Sequence, residues 1–385
     1  MNGALNIADL RAAAQRRLPR AMFEFVDGGA CDEVTLRANR EDFDHWRFLP
    51  RVLTDVSVCD LSTTVLGGTL QAPLILAPTG LAGLLHRRGE LSAARAAQGH
   101  GVPYCLSTMA TCSIEQIAAA SNAQRWFQLY VLRDRGLTRS FIERARATGC
   151  HALVLTVDTK VQGPRERDVR NGFTVPPRFG PGTLVDFLRH WRWLLDVGLG
   201  PKVSFRNFEG TAVDNRSAVS IGQFITGQYD LTVSWRDVAW FKSLWGGPLA
   251  LKGVLSPEDA RMALDHGVDA LIVSNHGGRQ LDGAVSALQA LPAVVEAVQG
   301  RAEVILDGGV RRGSDVVKAL CLGARACMVG RAWLYGLATA GEAGVDRALQ
   351  ILVTEMAVTL RLLGRTRLDE LGRHCLVEAP GRRPG

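Results

Sequence analysis

One histidine stands where it could act as a general base. His276 lies in the run Ser-Asn-His-Gly-Gly-Arg-Gln, directly after an apolar segment typical of a strand. An imidazole exchanges protons near neutral pH, and a position between a strand end and two glycines favours a catalytic role over a structural one. Asp158 follows another apolar segment, and a carboxylate there would stabilise the imidazolium formed when His276 takes a proton. The alternative role for Asp158 is a helix cap or a loop carboxylate.

Three further residues have the chemistry to bind an acidic substrate. Arg279 lies close behind the histidine, and its guanidinium fork suits a carboxylate. Arg165 could close over the same anion, and its alternative role is a surface ion pair with Glu166 or Asp168. The phenol of Tyr130 could hydrogen-bond a substrate oxygen, or it could lie in the core.

Glycines and arginines follow the last two strand-like segments, at Gly308, Gly309, Arg311, Gly330 and Arg331. Backbone N–H groups and arginines at these places of a barrel form an anion site, which predicts a phosphorylated ligand. Lys252 would reach the same site from a fifth strand. It could be a cation that stabilises a reduced flavin, or a Schiff-base nucleophile. No residues have the spacing of metal ligands, so we expect no metal.

These residues follow short apolar segments that alternate with helical patterns. The strand candidates are 73–77, 103–106, 126–131, 153–157, 249–252, 271–274, 304–306 and 327–329. Nearly continuous apolar segments are typical of parallel strands buried on both faces. Helical patterns lie between them, at 90–99, 113–120, 138–148, 256–266, 287–298 and 314–322. Eight such units predict an α/β fold, a (β/α)8 TIM barrel whose site forms at the carboxyl ends of the strands.

A doubly wound sheet is the alternative fold. Neither a Gly-x-Gly-x-x-Gly run after the first strand nor a P-loop occurs, which argues against it. We expect one domain over residues 1–385. It would comprise a helical cap (1–70), the barrel (71–340) with an insertion after strand four (160–247), and a C-terminal helix with a loose tail (341–385).

The 160–247 insertion is too long for a structureless loop, so it should carry function or local structure. Apolar residues fall on one helical face within it, at Leu184, Phe187, Leu188, Trp191, Leu194 and Leu195. One interpretation is a helix that packs on the barrel or on a neighbouring subunit. The other is peripheral membrane contact through about 178–208, because an apolar face with tryptophan and cationic flanks suits a membrane surface.

Composition excludes several classes of protein. The chain has 385 residues, 47% of them apolar, which allows a large core and rules out a disordered protein or a disulfide mini-scaffold. The net charge of +7 is spread without a Lys/Arg block, so we expect no nucleic-acid partner. The eight cysteines form no Cys-x-x-Cys pair or metal-finger pattern and lie mostly in apolar context, which indicates reduced core cysteines, and residues 1–25 lack a signal-peptide pattern. We therefore expect a cytoplasmic protein, on the inner face of the plasma membrane if the insertion binds lipid.

Four motifs, at 127–130, 155–158, 274–282 and 307–313, together resemble the FMN-dependent L-2-hydroxy-acid oxidase and dehydrogenase family. The resemblance runs over nearly the whole chain, and the motif at 274–282 is its most specific part. It implies that His276, assisted by Asp158, takes the substrate proton, and that Tyr130, Arg165 and Arg279 bind the substrate. It implies a bound FMN held by Ala77, Pro78, Thr79, Ser107, Gln128, Thr156, Lys252, Ser274, Asp307, Gly309, Arg311, Gly330 and Arg331.

Four positions would shape the substrate pocket. Phe25 stands where members such as glycolate oxidase have a tyrosine that touches the substrate carboxylate. A hydrogen bond to a charged group is worth about 1.5–3 kcal/mol, so its absence disfavours small acids. Gly80 resembles the mandelate dehydrogenase branch, Met109 replaces a bulky tryptophan and so leaves room, and Gln162 adds a polar group at the pocket mouth.

These features predict an FMN-dependent dehydrogenase that oxidises an L-2-hydroxy acid to the 2-oxo acid. We expect a mandelate-like or other bulky substrate first and L-lactate next, with a quinone or another electron carrier as acceptor. The nearest alternative is an oxidase that reduces oxygen to hydrogen peroxide. Two other classes are a Schiff-base barrel that uses Lys252 and a flavin-carrying protein without turnover. The resemblance also implies a homo-oligomer, most often a tetramer.

Overall fold

Eight parallel strands close into a barrel. The computed structural model describes residues 3–174, 177–209 and 227–379. Strands β4 to β11 form the barrel in chain order, and β11 pairs with β4 to close it, which confirms the predicted fold and all eight predicted strands. The strands of the described residues are β1 (Trp46–Phe48), β2 (Thr63–Val65), β3 (Gly68–Leu70), β4 (Leu74–Leu76), β5 (Tyr104–Ser107), β6 (Arg125–Leu129), β7 (Ala152–Thr156), β8 (Leu249–Val254), β9 (Ala270–Ser274), β10 (Glu303–Asp307), β11 (Ala326–Val329) and β12 (Leu376–Glu378).

The register of the barrel brings polar residues side by side at the carboxyl ends of the strands. Ser107 is the Cα partner of Gln128, Thr156 that of Lys252, and Ser274 that of Asp307. Side chains upstream of these positions are apolar and buried, apart from Arg125 and Glu303, which begin β6 and β10 at the opposite end. The buried polar side chains of these strands therefore lie at their carboxyl ends, where the fold class places the site.

Helices cover the barrel and extend it at both ends of the chain. Each predicted helix agrees with an observed one to within three residues. The α-helices of the described residues are α1 (Ile7–Arg17), α2 (Arg20–Asp27), α3 (Val34–Glu41), α4 (Gly89–Gly99), α5 (Ile114–Ala120), α6 (Arg135–Ala147), α7 (Glu166–Arg170), α8 (Pro181–Arg189), α9 (Trp191–Gly198), α10 (Val238–Trp245), α11 (Pro257–Asp265), α12 (Ala287–Val298), α13 (Gly313–Cys321), α14 (Arg331–Ala340) and α15 (Glu342–Leu362).

The core has two layers. An inner cluster fills the barrel with side chains such as Ile75, Val154, Ile272 and Met328. A larger outer cluster lies between the strands and the helices. Because alternate strand residues point to opposite sides, one nearly all-apolar strand supplies both layers.

The N-terminal cap contains strands as well as the expected helices. α1 packs on α14, and α3 lies against the loops that follow β9 and β10. The hairpin of β2 and β3 joins the inner cluster through Val65, Leu66 and Leu70.

The tail is more ordered than expected. Residues 364–379 include β12, which pairs antiparallel with β1. Backbone hydrogen bonds also join Asp60 to Thr366 and Leu49 to Cys375. The expectation of a loose tail is therefore wrong for these residues, because the cap supplies backbone partners that the tail sequence does not reveal. Residues 380–385 lie outside the described part of the chain.

The predicted insertion helix is two helices, α8 and α9, separated at His190. Phe187 is half-buried and packs on Trp193, whose Nε1 donates to the carbonyl of Leu84, 2.8 Å away. Phe187 therefore does not share the outer face assigned to it. The other residues of that predicted face, Leu184, Leu188, Trp191, Leu194 and Leu195, are exposed. The pair thus both packs on the barrel and presents an apolar outer face.

Candidate active site

The turn after β9 places His276 at the mouth of the barrel. His276 has a left-handed backbone, with φ of 59°, and its N–H donates to Oγ of Ser274, 3.0 Å away. A non-glycine residue in this conformation is uncommon and is often found at functional sites. Nδ1 of His276 lies 3.0 Å from Oδ1 of Asp158, and Nε2 lies 3.4 Å from the hydroxyl of Tyr130. The ring is thus held at one nitrogen by a carboxylate and presents the other to the cavity.

A bulge in β8 makes room for Asp158. The ladder shifts between Lys252 and Val254, where Gly253 has a φ of 108°. A Cβ on Gly253 would lie 2.6 Å from the Cβ of Asp158, so only glycine fits there. Burial by itself would raise the pKa of Asp158, but the charges of His276 and Lys252 outweigh it and hold the pKa below its usual value. Asp158 is therefore an anion suited to stabilising an imidazolium.

Two arginines gather beside the histidine. Arg279 donates through Nη1 to the carbonyls of Phe25 (2.7 Å) and Gly28 (3.0 Å). Burial and the charges of Arg165 and Arg331 lower the pKa of Arg279. Because a guanidinium stays protonated in proteins, this end of the cavity holds buried positive charge that an anion would offset.

Arg165 does not form the surface ion pair that was its alternative role. Glu166 instead binds Arg170, and the buried Nε of Arg165 has no hydrogen-bond partner among the described residues. An unpaired buried N–H is costly, so an acceptor is expected to approach it. Arg165 lines the same cavity as Arg279.

Asp168 is a cavity residue that the sequence reasoning considered only as a possible surface partner of Arg165. Its side chain is buried and lines the cavity. Burial raises the pKa of Asp168 to about 6, although Arg279 and Arg165 oppose the shift. The only sequence signal was its position three residues after Arg165, which itself directly precedes α7.

A buried ion pair occupies the middle of the barrel mouth. Nζ of Lys252 lies 2.6 Å from Oδ2 of Asp307 and 3.0 Å from Oγ of Ser274, which itself donates to Asp307. Burial alone would lower the pKa of Lys252, but Asp307 and Asp158 outweigh it and raise the pKa. A Schiff-base nucleophile must be a neutral amine, so this geometry favours the cation role for Lys252.

A chain of hydrogen bonds lies behind the cavity wall. Oγ of Ser107 donates to Oε1 of Gln128, 3.0 Å away, and Nε2 of Gln128 donates to Oγ1 of Thr156, 2.9 Å away. Ser107 lines the cavity, whereas Gln128 and Thr156 lie behind it. These hydrogen bonds fix the orientation of the Gln128 amide, and so they determine where its oxygen and its nitrogen could meet a planar polar ligand.

A further part of the cavity lining, formed by the loop at 308–311 and by Arg331, is cationic and rich in glycine. Gly308 and Gly309 have φ values of 130° and 79°, which side chains rarely adopt. Burial, together with the charges of Arg331 and Arg40, lowers the pKa of Arg311, and burial lowers that of Arg331. Arg331 begins α14, whose first N–H groups have no partner within the helix. These features suit a phosphate group.

A single cavity of about 280 Å³ joins these parts. Four predicted site residues, Gln128, Thr156, Asp158 and Ser274, lie behind its lining. Gln128, Asp158 and Ser274 bind the lining residues Ser107, His276 and Lys252, and Thr156 binds Gln128. The buried Oγ1 of Thr79 has no partner among the described residues. The predicted residues that line the cavity are Ala77, Pro78, Thr79, Ser107, Lys252, Asp307, Gly309, Arg311, Gly330, Arg331, Tyr130, Arg165, His276, Arg279, Phe25, Gly80, Met109 and Gln162.

The cavity has an apolar wall beside Arg279. The rings of Phe25 and Phe173 are 4.7 Å apart, and the guanidinium of Arg279 lies 5.3 Å from the Phe25 ring centre. Tyr229 packs on Tyr130 with ring centres 5.6 Å apart. Phe173 and Tyr229 both come from the 160–247 insertion and were not foreseen, because aromatic residues in a long insertion carry no signal of where they fold back.

In the described part of the chain, no group of three or more His, Cys, Asp or Glu side chains could hold a metal ion.

The chain is similar to a known family and to proteins of known structure over nearly its whole length. A family model described as FMN-dependent dehydrogenase matches residues 14–378. The structure of a monotopic membrane protein, (S)-mandelate dehydrogenase, is 40% identical with a TM-score of 0.94, covering 98% of this chain and 100% of that one. A soluble mutant of the membrane-associated (S)-mandelate dehydrogenase from Pseudomonas putida is 38% identical with a TM-score of 0.85, at 98% and 100% coverage. A mandelate oxidase variant with (S)-mandelic acid is 36% identical with a TM-score of 0.83, at 99% and 100% coverage.

Proposed function

Because the chain belongs to the FMN-dependent dehydrogenase family and is an FMN-dependent oxidoreductase of 2-hydroxy acids, we propose that it oxidises a mandelate-like L-2-hydroxy acid to the 2-oxo acid. L-lactate is the second candidate substrate. The observation that carries the proposal is the single cavity, whose lining includes both the glycine loop and arginines suited to a phosphate and the Arg165, Arg279 and His276 side chains suited to a hydroxy acid.

The cavity fits FMN. Arg311, Arg331 and the glycines at 308–309 would hold the phosphate, and the unpaired Oγ1 of Thr79 and the Gln128 chain would meet the polar edge of the ring. Asp307 directs its carboxylate to Lys252, so within the FMN site it suits a ribityl hydroxyl better than the phosphate. Lys252 would place a fixed positive charge beside the ring.

Residues of this chain would bind the substrate and move its proton. Arg165 and Arg279 would hold the carboxylate, and the Tyr130 hydroxyl would hydrogen-bond the hydroxyl oxygen. With Nδ1–H donated to Asp158, Nε2 of His276 is free to take the proton that the oxidation releases. When bound, FMN supplies the two-electron acceptor for the substrate's α-hydrogen.

The apolar wall supports a bulky substrate. Phe25 places an apolar ring where a tyrosine hydroxyl would hydrogen-bond the carboxylate of a small acid. This ring packs against Phe173. Gly80 and Met109 face each other on another part of the lining, and a Cβ on Gly80 would lie 3.0 Å from that of Met109. Space and apolar surface together favour an aromatic or branched side chain over the hydrogen of glycolate.

The acceptor is proposed separately, because the similar structures include both a dehydrogenase and an oxidase. We favour a quinone or another electron carrier over oxygen. The support is Gly80, which resembles the mandelate dehydrogenase branch, and the apolar outer face of the insertion, which suits a lipid-soluble acceptor.

Anaerobic spectroscopy of the purified protein tests substrate and acceptor together. We expect (S)-mandelate to bleach the flavin faster than L-lactate, and glycolate to bleach it slowest. A quinone analogue should restore the colour quickly and air slowly. Peroxide formation in air at the steady-state turnover rate would contradict the dehydrogenase assignment, and bleaching by glycolate alone would contradict the substrate assignment.

We also propose that helices α8 and α9 bind a membrane surface on the inner face of the plasma membrane. No helix among the described residues is long and apolar enough to cross a membrane. Leu188, Trp191 and Leu195 are 67%, 55% and 50% exposed, and the basic residues Arg189 and Arg192 flank them. An apolar face with cationic flanks favours an anionic bilayer.

Vesicle sedimentation tests this surface. The double substitution Leu188→Glu and Leu195→Glu should abolish binding to vesicles of phosphatidylglycerol while activity with a soluble acceptor is kept. The control is Leu362→Glu, which changes a 72% exposed leucine of α15. Equal binding by both variants would refute the assignment.

We further propose a homotetramer, which sedimentation equilibrium in detergent would test.

A further inference from the structure

An amide pair joins the N-terminal cap to the catalytic turn. Asn39 lies on α3 and Asn275 immediately precedes His276, 236 residues further along the chain. Nδ2 of Asn39 donates to Oδ1 of Asn275, 2.8 Å away, and Nδ2 of Asn275 donates back to Oδ1 of Asn39, 2.9 Å away. Both side chains are almost fully buried, at 2% and 5% exposure. Buried reciprocal hydrogen bonds of this kind specify one arrangement of the groups they join.

The pair uses every hydrogen-bonding position of the Asn275 amide. Its Oδ1 also accepts from the N–H of Gly278, 3.0 Å away, and its Nδ2 also donates to the carbonyl of Val285, 3.0 Å away. Exchanging the oxygen and nitrogen would break all four bonds, so the orientation is determined. The amide therefore closes the turn 275–278 around His276.

That turn needs support, because His276 has a positive φ. A strained backbone persists only when the surrounding structure over-determines it. Within the turn, Ser274 binds the N–H of His276, and Gly278 binds both oxygens of Asn275. Two contacts come from outside the barrel: Asn39 binds the side chain of Asn275, and the N–H of Ala30 donates to the carbonyl of Gly278, 2.8 Å away.

Asn39 also abuts the glycine loop in the cationic part of the cavity lining. A Cβ on Gly309 would overlap the carbonyl oxygen of Asn39, and Gly308 approaches its side chain. The neighbouring Arg40 donates to the carbonyl of Gly309 and binds Asp315 at 2.6 Å. One turn of α3 thus contacts both the catalytic turn and the loop assigned to the phosphate.

We propose that Asn39 is a positioning residue for His276, acting through Asn275. The inference rests on the proposed function only for the role of His276. In structural terms, helix α3 of the N-terminal cap holds His276 in its left-handed backbone conformation through Asn275. Sequence reasoning did not single out either asparagine, because their contact exists only in the folded chain.

Flavin reduction by substrate, measured by stopped flow per bound flavin, is the first test. Asn39→Ala should slow reduction by about tenfold or more with little change in substrate affinity, since a small misplacement of a catalytic group costs rate more than binding. Asn275→Ala should act in the same direction. The double variant should be no slower than the slower single variant, because the two residues act as one unit.

Thr35→Val is the matched control. Thr35 lies on the same helix, is equally buried and bonds the carbonyls of Leu281 and Ala284, beyond the catalytic turn. It should lower the melting temperature without changing the reduction rate per flavin. An equal rate loss in this control, an unchanged rate in Asn39→Ala, or multiplying losses in the double variant would overturn the proposal.

Amide hydrogen exchange gives a readout that does not depend on turnover. Asn39→Ala should speed exchange in the peptide 274–280 by about tenfold while Thr35→Val leaves it unchanged, because a segment opens more often when a hydrogen bond that holds it closed is removed. If Asn39→Ala does not retain flavin, Asn39→Asp keeps the shape and the acceptor but sets a buried carboxylate oxygen against Oδ1 of Asn275 in place of the donor, so exchange in that variant decides. Unchanged exchange at 274–280 refutes the inference. A wild-type flavin that no hydroxy acid bleaches refutes the proposed function instead, and the exchange result still stands.

Discussion

The hydrogen bond between Asp158 and His276 allows us to predict how much Asp158 contributes to the rate of flavin reduction. Nδ1 of His276 lies 3.0 Å and 3.2 Å from the two carboxylate oxygens, and the two side chains are 14% and 19% exposed. Asp158→Asn keeps the shape but removes the negative charge opposite the imidazolium. A hydrogen bond to a charged group contributes about 1.5–3 kcal/mol, and about 1.4 kcal/mol is tenfold in rate, so flavin reduction should slow about 10- to 150-fold.

Stopped-flow reduction under anaerobic conditions measures this effect. Substrate affinity should change little, because Asp158 lies behind the cavity lining. Asp346→Asn is the control, since Asp346 also binds a histidine, His100, at 2.8 Å but lies 57% exposed on the surface. A loss of less than about threefold in Asp158→Asn, or an equal loss in the control, would refute the role of Asp158 as the partner of the imidazolium.

The same geometry supports four further predictions. Phe25→Tyr should lower the KM for glycolate about tenfold or more relative to mandelate, because it restores a hydrogen bond to the carboxylate; an unchanged ratio of KM values would count against the cavity assignment. Lys252→Met should destabilise the protein by about 3–5 kcal/mol in urea unfolding, because Asp307 stays buried without its partner, whereas Lys242→Met, at a half-exposed pair with Asp269, should cost under about 1 kcal/mol. Gly80→Ala should raise the KM for mandelate about tenfold and that for L-lactate less, since the added Cβ lies 3.0 Å from that of Met109; equal changes would exclude Gly80 from the side-chain pocket. Burial raises the pKa of Asp168 to about 6 in the folded protein, so ionising this carboxyl lowers the stability of the wild type as the pH rises from about 4 to 6. In thermal unfolding, Asp168→Asn should therefore be more stable than wild type by up to about 3 kcal/mol at pH 7.5 and equally stable at pH 4.

The barrel could be predicted because each strand carries its own signal. Parallel strands buried on both faces are apolar throughout, and the glycines that end several helices mark where the next strand begins. The carboxyl ends of such strands meet at one rim, which is why residues as far apart as Tyr130 and Arg331 could be assigned to one site before any contact was known.

The insertion was predicted less well than the barrel. Helical spacing placed Phe187 with Leu188 on one face, but neighbouring residues of α8 point about 100° apart. The break at His190 brings α9 back so that Phe187 packs on Trp193 while Leu188 stays exposed. A periodic pattern assumes one continuous helix, and it carries no information on what packs against it. The ordered tail escaped prediction for the same reason, since β12 depends on a partner strand near the start of the chain.

The sequence by itself determined the barrel, the family resemblance and the residue types at the strand ends, because those depend on local pattern and composition. Only the tertiary structure decided how the charges are paired. It directed Asp307 to Lys252, left Nε of Arg165 without a partner among the described residues, buried Asp168 beside two arginines and brought Asn39 to Asn275. The pairing depends on contacts between segments far apart in the chain. Those contacts form only when burial of apolar surface excludes water and brings the segments together.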